Sequence, residues 1–347
     1  MIIRPKGLLT ILITLLITLG AAQVQHLQAQ SDEPLTDEIR ELYKSDAFNI
    51  GFLLQSEALF TEGDDNALGE TGFGLGPTRL RFDGMTDGGF MYEMDLELRR
   101  SPLIWDASIY YVASDAFELE AGMHKADIGL DLQPGPGKID FIDRAQLINI
   151  MTNRREVGVS ARGQLDQFDY TVGVYNGTGR DLDNDGNLMY LLKAGYTFEF
   201  DNDGVLYVVA NGALNGTVGE EIAGLTTNGD RLTYGGYLDY ESDSWFGAFE
   251  VLATTFETND LAATPPTVEE TILGTYITLG NKITEKDELL GRWEYIGYDF
   301  QDRESNLLIL GWNHQFTSVM SLQINGLALF EEDDESFGLQ GNLQYEF

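Results

Sequence analysis

The sequence predicts an all-β fold, a single closed antiparallel transmembrane β-barrel of about sixteen strands. Three observations predict it. The C-terminal residues alternate between apolar and polar side chains, short and long connections alternate along the chain, and no apolar run after the N-terminal segment approaches the ~18 residues that a transmembrane helix needs. A membrane chain without such helices spans the bilayer only as a closed barrel, because every backbone group in lipid must be paired.

The C-terminal strand, residues 337–347, has one apolar face and one polar face. Phe337, Leu339, Leu343, Tyr345 and Phe347 share the first, and Gly338, Gln340, Asn342, Gln344 and Glu346 share the second. In an outer membrane, lipid would cover the apolar face and the polar face would line a lumen. A strand of a soluble β-sandwich is the alternative. The terminal aromatic resembles the closing strand of bacterial outer-membrane barrels, which implies that the barrel assembly machinery recognises the strand ending in Phe347.

The N-terminal segment, residues 1–29, has the pattern of a secretory signal peptide. Arg4 and Lys6 precede a short apolar run, which small residues follow. Cleavage is expected after Ala22 or after Ala29. Export from the cytoplasm agrees with an outer-membrane location.

After a polar periplasmic lead-in at residues 30–45, residues 46–347 carry the barrel pattern. The predicted strands are 46–60, 77–86, 89–99, 105–114, 116–125, 155–164, 167–176, 188–200, 204–215, 230–241, 244–257, 269–280, 286–298, 305–316, 318–330 and 337–347. Tight turns alternate with long connections, among them 126–154 and 216–229. This alternation, together with an even number of strands, is typical of outer-membrane barrels. It predicts that the protein lies in the lipid of the bacterial outer membrane.

The charge balance and the cysteine content exclude several functions. The chain has 57 acidic and 21 basic residues and a formal net charge of −36, so nucleic acid, which needs a basic surface, is excluded as a partner. There is no cysteine, and therefore neither a disulfide nor a lipid-modified N-terminal cysteine. No cofactor is implied.

Three stretches carry the motifs of a known family. They are GPTRLRFDGMTDGGFMYEMDLEL at 76–98, LEAGMHK at 119–125 and FIDRAQLINIMTNRREVGVSARGQLDQFDYTVGVYNGTG at 141–179. They resemble the phosphate-selective porin O and P family. The resemblance implies a channel for small hydrophilic or anionic solutes, usually a homotrimer, whose third extracellular loop folds inward and narrows the pore. The chain departs from the family in having Ala126-Asp127-Ile128-Gly129 where a Pro-Phe pair is usual, and in being strongly acidic.

Basic residues concentrate in the same region and, with the acidic face of one strand, define the predicted constriction. The candidate pore-lining residues are Arg79, Arg81, Glu93, Asp95, Glu97, Arg99, Lys125, Arg144, Arg154, Arg155 and Arg162, and the loop aspartates are Asp127, Asp131, Asp140 and Asp143. Arg99 is expected to continue the inward face of its strand. A basic wall facing an acidic inward loop would set up a transverse field that orders passing solutes. Alternatively, the arginines only pair with carboxylates and hold the wall and loop in place.

Three other functions are alternatives to a pore. Asp181, Asp183 and Asp185 are spaced like half of a calcium loop, but the twelfth position is Leu192 rather than a bidentate glutamate. His124 would serve a barrel hydrolase, although no Gly-x-Ser-x-Gly motif occurs. Acidic loops would suit a surface receptor or adhesin. The sequence as a whole predicts a porin rather than an enzyme, with an anion-leaning, phosphate-type constriction lined by arginine.

Overall fold

The structure is a computed structural model that describes residues 44–45 and 47–347, except 63–67, 87, 100, 102, 182–185, 202, 260–266 and 333. The predicted signal peptide and nearly all of the predicted lead-in lie outside the described residues. Lys44–Ser45, a two-residue strand, is the part of the lead-in that is described. Residues 46–347 form a unit of their own.

Within the described part of this unit, sixteen strands follow one another along the chain. They are β1 (Phe48–Glu62), β2 (Gly72–Met85), β3 (Phe90–Glu97), β4 (Ile104–Ser114), β5 (Phe117–His124), β6 (Glu156–Leu165), β7 (Phe168–Tyr175), β8 (Met189–Glu199), β9 (Val205–Ile222), β10 (Leu225–Glu241), β11 (Trp245–Asn259), β12 (Thr267–Lys282), β13 (Asp287–Tyr298), β14 (Arg303–Thr317), β15 (Met320–Glu331) and β16 (Glu335–Glu346). Each strand pairs antiparallel with the next. β16 pairs antiparallel with β1, from Phe337 opposite Glu62 to Glu346 opposite Leu53. The sheet closes on itself, which confirms the predicted barrel.

Side chains alternate between the two faces of the sheet, as the period of two requires. In β13 the inward Arg292 and Glu294 are buried, whereas the outward Leu289 is 50% exposed. In β16 the inward Asn342 is buried and the outward Phe337 is exposed. The outward face of the whole barrel carries exposed aliphatic and aromatic side chains, an apolar belt that needs lipid to cover it.

Residues 216–229, which were predicted to be a long loop, form the end of a hairpin instead. β9 continues to Ile222 and β10 begins at Leu225, and these two residues pair across Ala223 and Gly224. Both turn residues have positive φ, 52° and 82°, as a two-residue type I′ turn requires. Several glycines and an asparagine suggested a loop, but a bulge within the hairpin accommodates the irregularity.

A short helix, α1 (Gln146–Met151), lies in the connection between β5 and β6. The first amide groups of a helix have no partner within the helix, and here two carboxylates accept from them. Asp131 Oδ2 accepts from Ala145 N at 2.6 Å, and Glu294 Oε2 accepts from Gln146 N at 2.9 Å. No helix in the described part of the chain is long and apolar enough to cross a membrane.

Candidate functional site

Residues 125–155, here called the inner segment, connect β5 to β6 and lie inside the ring of strands. Glu250 on β11 accepts a hydrogen bond from Leu130 N at 2.9 Å, and Arg292 on β13 forms an ion pair with Asp131 at 3.3 Å. Both wall residues face inward. A connection between β5 and β6 reaches the inner faces of β11 and β13 only by crossing the lumen. Its assignment as the third extracellular loop stays a prediction.

Apolar packing fixes one side of the inner segment against the wall. One buried cluster joins α1 and the start of the segment to the wall from β7 to β13, and its largest members are Leu132, Leu147, Ile148, Met151, Tyr175, Leu252, Phe256, Ile272, Tyr276 and Ile296. A second cluster consists of Phe141 with Leu290, Leu307, Ile309, Leu327 and Leu329 on β13, β14 and β15. These parts of the lumen are packed like a protein interior.

Five of the predicted basic residues come together on the side of the inner segment that faces β2 and β6: Arg79, Lys125, Arg144, Arg154 and Arg155. We call them the basic cluster. Lys125 Nζ donates to the carbonyls of Gln133 and Pro134, and Arg144 donates to those of Asp131 and Pro134. Burial, followed by the charges of two neighbouring arginines, lowers the pKa of Lys125 to about 7. Burial also lowers the pKa of Arg144 to about 10. An anion nearby would stabilise both charges.

Trp105 of β4 lies on the wall side of the basic cluster. The guanidinium carbons of Arg79, Arg155 and Arg180 lie 4.9, 5.4 and 4.1 Å from its ring centroid. Guanidinium groups are attracted to the face of an aromatic ring, so the tryptophan helps to gather like charges. Arg180, which lies in the connection after β7, was missed because contact with a distant tryptophan leaves no local pattern in the sequence.

Two arginines of the basic cluster are held by buried carboxylates. Arg79 lies 3.1 Å from Asp95 and 3.4 Å from Glu97, both on β3. Arg155 contacts both carboxylate oxygens of Asp106, at 2.6 and 2.8 Å. Such pairs keep charged side chains in fixed positions in a buried site. For these two residues the geometry favours the alternative that the arginines pair with carboxylates and hold the wall and loop in place.

Arg81 and Arg162 form more open pairs on the inner wall. Arg81 lies 3.6 Å from Glu93, and their side chains are 40% and 36% exposed. Arg162 contacts Glu118 and lies 3.6 Å from Glu120, and 47% of its side chain is exposed. Water, and therefore a hydrated solute, reaches these two arginines more easily than it reaches Arg79.

The expectation that Arg99 continues the inward face of its strand is wrong. β3 ends at Glu97, whose Oε1 accepts from Thr78 N at 3.1 Å and from Arg99 N at 3.3 Å. The chain turns at this point because a side-chain acceptor replaces the next bond of the strand ladder. The Arg99 guanidinium is exposed and donates to the Leu75 carbonyl.

In the structure, two of the loop aspartates do not face the predicted arginines across a passage but pair with other basic residues. Asp127 binds Lys193 on β8 at 3.1 Å and accepts from Thr171 at 2.7 Å, while Asp131 binds Arg292. These aspartates pair with basic residues that the sequence analysis did not single out. Strand alternation places Lys193 and Arg292 inward, and this was the signal that would have found them. Their aspartate partners lie 66 and 161 residues away in the chain, which no local pattern reveals.

His124, the candidate for a hydrolase, has a serine neighbour. Its Nε2 lies 3.1 Å from Ser160 Oγ on β6, and its Nδ1 lies 3.9 Å from Glu120 Oε1. Ser160 is 4% exposed and His124 is 6% exposed, so a substrate carbonyl does not reach the hydroxyl in this structure. We interpret the three residues as a buried network of the wall.

The calcium hypothesis gains no support from the described residues. Asp183 and Asp185 lie outside them, and Asp181 is an exposed residue at their edge. Among the residues that the structure describes, no group of three or more acidic or histidine side chains is placed to hold a metal ion.

A closed sixteen-stranded antiparallel barrel, with an apolar exterior and a charged segment inside its lumen, defines an outer-membrane porin. The structure is similar to that of the outer-membrane expressed OmpT of Vibrio cholerae, with 14% identity, 88% of this chain and 99% of that chain covered and a TM-score of 0.60. A trimer form of in-vitro folded OmpT from Vibrio cholerae matches at 12% identity, with 87% and 100% covered and a TM-score of 0.60. An anion-selective porin from Comamonas acidovorans matches at 12% identity, with 87% and 99% covered and a TM-score of 0.60. At these identities the likeness concerns the fold.

The comparison of sequences points to a particular family. The family model described as phosphate-selective porin O and P matches residues 48–217, which confirms the resemblance seen in the sequence. A comparison with curated protein sequences gives no match. The chain is thus a porin of the bacterial outer membrane, and family and fold together indicate a channel rather than an enzyme.

Proposed function

We propose that this porin allows passive diffusion of small hydrophilic solutes and that its constriction favours anions of the phosphate type. The observation that carries the proposal is the basic cluster. Five positive side chains gather at one side of the inner segment, in a chain whose net charge is −36. In a narrow passage with low-dielectric walls, fixed charge of one sign concentrates solutes of the opposite sign.

The proposed passage runs beside the basic cluster, along the inner wall formed by β2 to β6. The apolar clusters occupy part of the lumen beside β7 to β15, and a hydrated anion that entered them would lose its water without compensation. Beside β2 and β6, by contrast, Arg81 and Arg162 are partly exposed to water. A solute that follows this wall meets positive charge both on the wall and on the inner segment.

Pairing determines which charges act on a solute. Arg79 and Arg155 are compensated by buried carboxylates, so the net charge that they contribute is small. The bonds described for Lys125 and Arg144 are to neutral carbonyls, so their charges act on the passage more fully. The acidic surface of the chain acts against anions at the mouth, and we therefore expect moderate rather than strict selectivity.

We also propose a homotrimer in the outer membrane, assembled through recognition of β16 by the barrel assembly machinery. The trimer form of a protein with the same fold supports the first part. The apolar belt supports contact with lipid and with other copies of the chain. Chemical cross-linking in native outer membranes tests the assembly, and a band of a single copy at all cross-linker concentrations would contradict it.

Charge removal at the basic cluster tests the proposed selectivity. We expect Lys125→Met and Arg144→Met each to lower the ratio of anion to cation permeability, measured from reversal potentials in planar bilayers, because each removes a charge whose described hydrogen bonds are to backbone carbonyls rather than to a carboxylate. Lys286→Met is the matched control, since Lys286 is exposed in the turn before β13. If both cluster variants have the same permeability ratio as wild type, the basic cluster has a structural role only and does not select anions.

A further inference from the structure

A row of carboxamide side chains on the wall of β14, β15, β16 and β1 holds the Pro- and Gly-rich part of the inner segment. Gln55 on β1 donates to Pro136 O at 3.1 Å, Gln344 on β16 to Gly137 O at 2.9 Å, Gln323 on β15 to Ile139 O at 3.0 Å and Asn313 on β14 to Asp140 O at 2.9 Å. The four donors come from neighbouring strands and bind the carbonyls in the order of the chain. We call residues 134–140 the tip and these four side chains the amide row.

The amide row is built as a unit. Gln55 also donates to Gln344 Oε1 at 2.7 Å, and Asn342 Nδ2 donates to Gln323 Oε1 at 3.1 Å. The three glutamines are buried, although glutamine is a residue that usually lies at the surface. Because the oxygens of Gln344 and Gln323 accept bonds within the wall, the NH₂ groups of these two residues are directed to the tip.

The sequence of the tip explains why donors are needed. Pro134 and Pro136 have no N–H group, so this stretch of backbone offers acceptors with few donors of its own. The Lys138 N–H is used within the tip, where it donates to Gly135 O at 2.9 Å. A buried carbonyl without a partner costs free energy, and the wall supplies the missing donors.

The two sides of the inner segment are therefore held by different forces. Toward β7–β13 it is fixed by apolar packing, which water cannot replace. At the tip, the amide row supplies amide-to-carbonyl bonds, for which water is a competitor of similar strength. The tip is thus the part of the segment that substitutions of a few side chains can release without unfolding the barrel.

We propose that Gln55, Gln323, Gln344 and Asn313 are positioning residues that hold the tip against the wall and thereby set the width of the passage. The proposal rests on the proposed channel function. While the tip is bound to β14, β15, β16 and β1, these bonds obstruct the space between it and that wall, so that the flow favours the side with the basic cluster. A released tip would open a second, wider route that is not lined by the basic cluster.

The test uses the full-length protein with three isosteric substitutions that remove the donors, Gln55→Met, Gln323→Met and Gln344→Met. We expect the single-channel conductance of the triple variant to rise about twofold or more, with a lower preference for anions. Gln164→Met is the matched control, because the Gln164 amide donates to the Asp166 carbonyl in a turn and does not contact the tip. The control variant is expected to conduct like wild type.

A second measurement reports on the tip independently of current. The chain has no cysteine, so Ile139→Cys introduces a single thiol at a buried position of the tip. A water-soluble maleimide should label this thiol slowly in the otherwise wild-type protein and rapidly when the three methionine substitutions are added.

Two results would overturn the proposal: a thiol that stays protected in the triple variant, or a triple variant with the conductance of wild type. If the wild-type protein carries no current at all, the proposed channel function fails, and the labelling experiment still decides whether the amide row holds the tip. Heat-modifiable migration on gels shows whether each variant has folded.

Discussion

At the scale of single residues, Lys125 is a buried cation whose described hydrogen bonds are to carbonyls rather than to a carboxylate. Its Nζ bonds to two backbone carbonyls, and its neighbours Arg144 and Arg155 are positive. A buried cation in such surroundings loses its proton more easily than one in water. Asp140 in the same segment is the acidic counterpart, because burial raises its pKa to about 6 although Arg292 is nearby.

We predict that the preference for anions rises as the pH falls. Lys125 becomes charged below about pH 7, because its pKa is lowered to about 7, and Asp140 becomes neutral below about pH 6. Both changes make the inner segment more positive. Reversal potentials measured over this range should show the change near pH 7 in wild type but not in Lys125→Met, and the change near pH 6 should be absent in Asp140→Asn. A wild-type permeability ratio that is the same at all pH values would contradict this prediction.

Two arginines of β2 should differ in their contribution to stability. Arg79→Met leaves Glu97 buried without an ion-pair partner and Asp95 with Arg81 alone, and we expect a loss of about 3–5 kcal/mol in the free energy of unfolding. Arg81→Met removes a partly exposed pair with Glu93, while Asp95 keeps Arg79, and it should cost about 1 kcal/mol. Urea titrations of the detergent-solubilised barrel measure both. Equal losses would show that burial does not distinguish the two pairs.

At the scale of elements, the inner segment is the part of the chain on which the proposed selectivity depends. Apolar side chains anchor it on one side, the basic cluster faces the other, and carboxylates of the segment and the wall accept from the first amides of α1. The sequence predicted a long connection here but not its anchoring, because the anchors come from strands that follow much later in the chain.

Loss of packing under α1 should release this element while the barrel stays closed. Ile148 is fully buried, and Ile148→Ala is expected to cost about 2–5 kcal/mol and to expose the segment to proteases. Asn149→Ala, at an exposed neighbouring position, is the control, because it removes polar contacts with Arg144 and Arg154 but no apolar packing, and it should expose the segment less. Limited proteolysis followed by mass mapping locates the cuts. Cuts that are no more frequent in Ile148→Ala than in the control would show that packing at α1 does not hold the segment.

Sequence alternation predicted all sixteen strands, because lipid on one side and water on the other impose a period of two on every strand. Two predictions from the sequence were wrong. Arg99 was expected in a strand that ends at Glu97, whose side chain accepts from Arg99 N, and residues 216–229 were expected to form a loop but belong to a hairpin. The basic cluster was found because most of its residues are close in the chain. The Asp131–Arg292 pair and the amide row were not predicted from the sequence, because they join residues that are far apart in the chain.

At the scale of the whole molecule, the closure of the ring depends on its last residue. Phe347 and Phe52 exchange two backbone hydrogen bonds of 3.1 Å, and their rings lie 6.0 Å apart. The C-terminus thus completes the seam between β16 and β1 and presents its aromatic ring on the lipid side.

Deletion of Phe347 should therefore reduce the amount of folded barrel in the outer membrane. The change removes two hydrogen bonds at the seam and the residue by which the assembly machinery is expected to recognise the strand. Heat-modifiable migration of outer-membrane fractions measures the folded share. Gln315→Ala, at the short-turn end of β14, is the control. If the deletion variant folds in the same amount as wild type, Phe347 is not needed for assembly.

The central claim is that water-filled space crosses the ring beside the inner segment and that positive charge lines it. Single-channel recording of the purified wild-type protein in a planar bilayer, with a gradient of potassium chloride, tests it most directly. We predict discrete current steps whose reversal potential has the sign of chloride permeation. Membranes that stay silent with folded protein present, or steps that reverse at the potassium potential, would contradict it.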